Sequence, residues 1–228
     1  MISNYFSLLL AVVELFGFTG ICFGYSFLQF IFMDELILHK EKCQVNDVNI
    51  NGTLVLCEEA LAYYNFIFSC CIISSSVGVV FFGIFEVKAG QMITRTLCNL
   101  CTTFGLLLLT FYRTSGYFIM AGWTIMSTPA IYYITSNCCL VPFFLKYAGM
   151  LVVQLVALFD MSPGLFLLFK LAYQSTGTDL RLMLQLLTAA SSIIWIRTLF
   201  LMPVYRSDPS KTLFEQSFFG QLIYTKQV

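Results

Sequence analysis

Residues 60–85 read ALAYYNFIFSCCIISSSVGVVFFGIF, 26 residues without an Asp, Glu, Lys or Arg among them. A helix rises about 1.5 Å per residue, so about 20 apolar residues cover the roughly 30 Å of hydrocarbon in a bilayer. This stretch is long enough to cross with residues to spare. Working outward, five more apolar stretches appear, at 5–33, 96–112, 117–139, 147–173 and 182–204. They predict an all-α integral membrane protein with six transmembrane helices. The bundle occupies residues 1–205, with an outer loop at 34–59 and a cytoplasmic polar tail at 206–228. Composition points the same way, because 11% charged residues is less than half of the roughly 25% in soluble domains. Twelve basic side chains balance twelve acidic ones, which argues against nucleic acid as a partner and leaves the lipid bilayer.

The first stretch is read as a retained span, since Met1-Ile-Ser-Asn-Tyr-Phe-Ser7 has no basic residue and the apolar run far exceeds a signal-peptide core. With the N-terminus inside, six Lys and Arg (Lys88, Arg95, Lys146, Arg206, Lys211, Lys226) fall on the cytoplasmic side and four (Lys40, Lys42, Arg113, Arg181) outside. The outer loop adds the sequon Asn51-Gly52-Thr53 and the cysteines Cys43 and Cys57. Glycosylation at Asn51 and a Cys43–Cys57 disulfide both require the lumenal face. Both termini are therefore expected in the cytoplasm. Cys98 and Cys101 have a metal-binding spacing, but the single histidine, His39, lies in the outer loop. They read as core residues, and neither a metal nor a cofactor is expected.

Charges inside a bilayer cost about 2.5–3.5 kcal/mol each on insertion scales and so face partners or cavities. Glu14, Asp160, Lys170 and Arg197 lie inside spans. A structural ion pair of Glu14 with Arg197 is one reading; Glu14 and Asp160 beside a polar pathway is the other. Lys170 is near enough to the outer end to snorkel. The first span carries Gly17, Gly20 and Gly24, and the fourth carries Trp123, Ser127, Thr128 and Pro129. Pro163 follows Asp160 by three residues. Proline frees backbone carbonyls, which are tolerated where helices meet or water enters. Polarity concentrated in helices 1, 4 and 5 suggests a lined pathway. Its wall is expected from Glu14, Phe18 and Tyr25 on one face of helix 1, with Trp123, Ser127, Thr128 and Asp160 as substrate-binding partners.

Glu14-Leu-Phe-Gly17-Phe18-Thr-Gly20-Ile-Cys-Phe23-Gly24-Tyr25 resembles the E-x-x-G-F-x-G-x-x-F-G-W stretch of solute carrier family 43, within the major facilitator superfamily. Phe159-Asp160, Lys170 and Arg197-Thr198-Leu-Phe-Leu201-Met202-Pro203 are similar to that family's F-D, K and R-T-x-x-L-M-P. The superfamily's G-x-x-x-D-[RK]-x-G becomes Gly83-Ile-Phe-Glu86-Val87-Lys88-Ala89-Gly90, with Val87 at the acid position and the carboxylate one residue earlier. The resemblance implies gating roles for Glu86, Lys88, Arg95 and Arg197.

It also implies one half of a major facilitator fold, a 3+3 inverted repeat with substrate between two halves and alternating access. An incomplete gene model, a half-size protein that dimerises and a degenerate paralogue are the expectations for the other half. The implied activity is facilitated, ion-independent uptake across the plasma membrane of large neutral amino acids or, in the branch most closely resembled, purine nucleobases. The expected partners are a small-molecule solute and a second half-transporter or full-length carrier. The alternative is a non-transporting membrane partner of such a carrier. An enzyme is not expected, because Glu14 and Asp160 on separate helices supply no acid/base or nucleophile set.

Overall fold

The computed structural model describes residues 2–35, 58–202 and 216–217. Cys43, Asn51 and Cys57, and most of the polar tail, lie outside them. The helices are α1 (Ile2–Phe18), α2 (Ile21–Asp34), α3 (Glu58–Ala89), α4 (Gln91–Leu109), α5 (Gly116–Ser127) and α6 (Ala130–Asn137). A 3₁₀ segment (Cys138–Tyr147) leads to α7 (Ala148–Met161), α8 (Pro163–Thr176), α9 (Leu180–Ala190) and α10 (Ser192–Leu201).

Several of these are long and apolar enough to cross a membrane: Glu58–Ala89, Gln91–Leu109, the run Gly116–Thr176 and Leu180–Leu201. A fifth candidate is a pair of helices, Tyr5–Phe18 and Phe23–Asp34, bent by 46° at the break between them. On α3 the buried positions Ala60, Tyr64, Ile67, Cys71, Ser75, Gly78 and Phe82 recur at three- and four-residue steps, one stripe facing the bundle. The opposite face exposes Phe66, Ile73, Val77, Val80, Phe81 and Ile84. A helix apolar all round is what a lipid surround demands.

The expected fourth and fifth spans fall in one 61-residue helical run, about 90 Å if straight. It is not straight. Phe144 has non-helical backbone angles, φ −129° and ψ 44°, just past Pro142. Moreover, α1 packs against both α6 and α7, while α2 packs against both α5 and α8. The run therefore doubles back at the 3₁₀ segment, and its two limbs lie side by side.

The long apolar segments are interrupted part-way. Thr19-Gly20 separates α1 from α2, Thr128-Pro129 separates α5 from α6, Ser162 separates α7 from α8, and Ser191 separates α9 from α10. At Pro129 and Pro163 the cause is a missing N–H. The interruptions meet: the Gly20 N–H donates to Ser162 Oγ at 3.0 Å, and a Cβ on Gly20 would sit 2.5 Å from the Phe159 carbonyl oxygen.

One residue, Gly90, joins α3 to α4, with φ 89° and ψ 161°. Only glycine occupies that region without strain of about 1–3 kcal/mol. Gly90→Ala is expected to lower the thermal midpoint of the detergent-purified chain accordingly, and an unaltered midpoint would show that the joint relaxes.

Candidate functional site

Glu14 is wholly buried on α1 and bridges two arginines. Arg95 on α4 donates from Nη2 to Oε1 at 2.5 Å, and Arg197 on α10 donates from Nη1 to Oε2 at 2.7 Å. Both arginines are also wholly buried. Asn137, the last residue of α6, donates from Nδ2 to Glu14 Oε1 at 3.1 Å. Arg95 lies over the Tyr133 ring, 5.4 Å from its centroid, and donates from Nη1 to Ser136 Oγ. Tyr133 donates to Asn99 Oδ1 at 3.0 Å, and Asn99 reaches Thr198 Oγ1 at 2.9 Å. One polar network thus ties α1, α4, α6 and α10 together. The Glu14–Arg197 pair is the one considered from the sequence; Arg95 joins it, and Asn99, Tyr133, Ser136 and Asn137 were not singled out. A signal existed, since two asparagines in apolar spans need partners.

Further along the spans, Tyr25 of α2, Trp123 of α5 and Phe166 of α8 converge. The Tyr25–Trp123 centroids are 5.2 Å apart and the Trp123–Phe166 centroids 5.5 Å, while Phe68 of α3 stacks on Tyr25 at 6.2 Å. Each of the three lies about one turn beyond an interruption: five residues after Gly20, five before Thr128 and four after Ser162. Glycine makes the approach possible, for a Cβ on Gly24 would meet Phe166 Cδ2 at 2.3 Å. Tyr25 and Trp123 are wholly buried, yet among the described residues the Tyr25 hydroxyl, Trp123 Nε1 and Thr124 Oγ1 have no hydrogen-bond partner. Phe18 is buried in the same core.

The remaining candidates are placed differently. Ser127 Oγ donates to the Trp123 carbonyl at 2.7 Å and Thr128 Oγ1 to that of Thr124 at 2.9 Å, so both hydroxyls serve their own helix. Asp160 is exposed on α7. Glu86 is half-buried near the end of α3, close enough to Tyr132 to act on its hydroxyl electrostatically but not within ordinary hydrogen-bond reach, and Lys88 is exposed. Lys170 seats its ammonium 4.2 Å from the Phe30 ring centroid. Cys98 and Cys101 are free thiols on α4.

At the end of the bundle away from Glu14, Arg113 reaches Glu35 at 3.0 Å and Asp179 at 3.0 Å. This binds the turn after α4 to the end of α2 and the start of α9. Hydrogen bonding to Glu35 raises the guanidinium pKa further. Tyr112 also donates to Glu35, at 3.0 Å. Comparison with protein-family models, curated proteins and solved structures gives no match.

Proposed function

We propose that this chain is a multi-pass carrier of the major facilitator type, or one half of one, resembling solute carrier family 43. In this reading it crosses the plasma membrane six times, with both termini cytoplasmic, and takes a small organic solute by alternating access. The two limbs of the Gly116–Thr176 run supply the fourth and fifth crossings. The observation that carries the reading is a pair of buried donors without a hydrogen-bond partner among the described residues, the Tyr25 hydroxyl and Trp123 Nε1, set in a ring cluster beside interrupted helices. Interrupted helices that bring polar groups to the midplane are the usual construction of secondary-transporter sites.

The same geometry favours a purine nucleobase over a neutral amino acid. A zwitterion brings a carboxylate and an ammonium that need ionic partners, whereas the cluster offers aromatic faces and neutral donors. The buried ionic groups Glu14, Arg95 and Arg197 are engaged with one another. A planar base stacks on the rings and accepts from the two donors.

Uptake of labelled adenine and leucine into vesicles holding only this chain tests the reading. Saturable adenine flux is expected, and Trp123→Phe, which keeps a ring but removes the N–H, is expected to raise KM about tenfold, the size of one unmade buried hydrogen bond. Saturable leucine flux without adenine flux rejects the substrate assignment. No saturable flux for either rejects transport by this chain alone.

A second reading, a membrane partner of a full-length carrier or of a second half, is favoured by Asp160. A carboxylate exposed mid-way along an apolar segment calls for protein or water opposite it. Crosslinking in membranes that recovers only monomer removes this reading.

A further inference from the structure

Among the described residues the Glu14 network holds two guanidinium groups against one carboxylate, all wholly buried, which leaves one positive charge that no described carboxylate balances. A buried, unbalanced charge costs several kcal/mol in a low-dielectric interior. The hydrogen bonds show where compensation is missing. Arg197 spends only Nη1, on Glu14; its Nε and Nη2 have no partner among the described residues. Those two N–H groups form one edge of the guanidinium plane, the fork that donates to two oxygens of a planar anion side by side. Arg95 Nε likewise has no partner among the described residues. Asn137 turns its amide nitrogen to Glu14 and to the Tyr133 carbonyl. Among the described residues no carboxylate other than Glu14 makes an ion pair with either arginine.

We infer that the free edge of Arg197, at the junction of α1, α4 and α10, is a binding site for a small planar monoanion of the nitrate or bicarbonate class. One negative charge balances the cluster, and two coplanar oxygens satisfy both donors. Complete burial excludes a lipid headgroup, which would have to bring its glycerol and acyl chains with it. The inference is independent of the transport reading, because it rests on the charge count and the unused donors of the ion network rather than on the aromatic cluster.

Thermal unfolding of the whole chain in detergent tests it, with sodium nitrate, sodium chloride or sodium gluconate exchanged at constant ionic strength. Nitrate is expected to raise the midpoint to a plateau, as a ligand of the folded state does, while gluconate, too bulky for the site, leaves it flat. Arg197→Lys keeps a cation for Glu14 but removes the fork, and the half-saturating nitrate concentration is expected to rise at least tenfold. Equal responses to nitrate and gluconate overturn the site. A chloride response equal to that of nitrate overturns the forked geometry, as does an unchanged nitrate curve in Arg197→Lys. If the lysine variant does not fold, the wild-type curves decide: a nitrate plateau absent in gluconate upholds the site, and a linear rise common to both overturns it.

Discussion

Glu14→Gln is expected to destabilise the chain by about 3–5 kcal/mol, the cost of removing one member of a buried ion network and leaving the others unpaired. Glutamine keeps the volume and one carbonyl acceptor, so the loss is electrostatic and not a cavity. What remains is two buried guanidinium groups on α4 and α10, without the negative charge that separates them. On the usual scaling this lowers the thermal midpoint on the order of 10 °C, and it should also reduce the amount of folded protein recovered from membranes. Asp160→Asn is the contrast, since Asp160 is exposed and touches none of the network; its midpoint should stay near that of the parent. A Glu14→Gln variant that melts with the parent would mean that the network does not hold the bundle. Such a variant with altered uptake would return Glu14 to the solute path.

The second large effect concerns a single methyl group. A Cβ on Gly78 of α3 would lie 2.0 Å from the Thr128 carbonyl oxygen and 2.8 Å from its carbonyl carbon. These are backbone atoms at the α5/α6 interruption and cannot swing away as a side-chain tip would. Gly78→Ala must push α3 off α5 and α6, and overpacking of this kind costs about 1–3 kcal/mol or more. Five residues along the same helix, a Cβ on Gly83 meets nothing within 4 Å. Gly83→Ala should therefore stabilise the chain by up to about 1 kcal/mol, through helix propensity alone. Opposite signs from the same substitution on one helix separate packing from propensity. Two shifts of the same sign would contradict the close approach of α3 to Thr128.

The helical, apolar character of the chain was legible because it depends on composition along one dimension, and the run at 60–85 needs no knowledge of its neighbours. Orientation about each helix axis was less legible. Glu14 belongs to a network whose two arginines stand 81 and 183 residues away, and only the Arg197 pairing suggests itself from span depth. Asn99 and Asn137 carry no charge, so the cost of burying an ion does not mark them in the sequence. Ser127 and Thr128 looked like pathway residues, but hydroxyls inside helices often bond to their own backbone four residues back, as both do here. Tyr25 and Trp123 were named from separate helices, yet that their rings touch depends on Gly24 admitting Phe166 beside them. The sequence reading leaves 140–146 outside the spans 117–139 and 147–173; the chain is instead a 3₁₀ segment there, with non-helical backbone at Phe144, just past Pro142.

The ion network also bears on how the chain is made. Glu14 enters the bilayer with the first helix, whereas Arg197 lies 183 residues later, about 10–40 s of synthesis at 5–20 residues per second. Through that interval the carboxylate of a nascent span has no more than Arg95 to neutralise it. The early helices must then be sheltered by the insertion machinery, or carry Glu14 protonated, until α10 arrives. Closure of the network on this account waits for Arg197, the later of its two arginines to be translated.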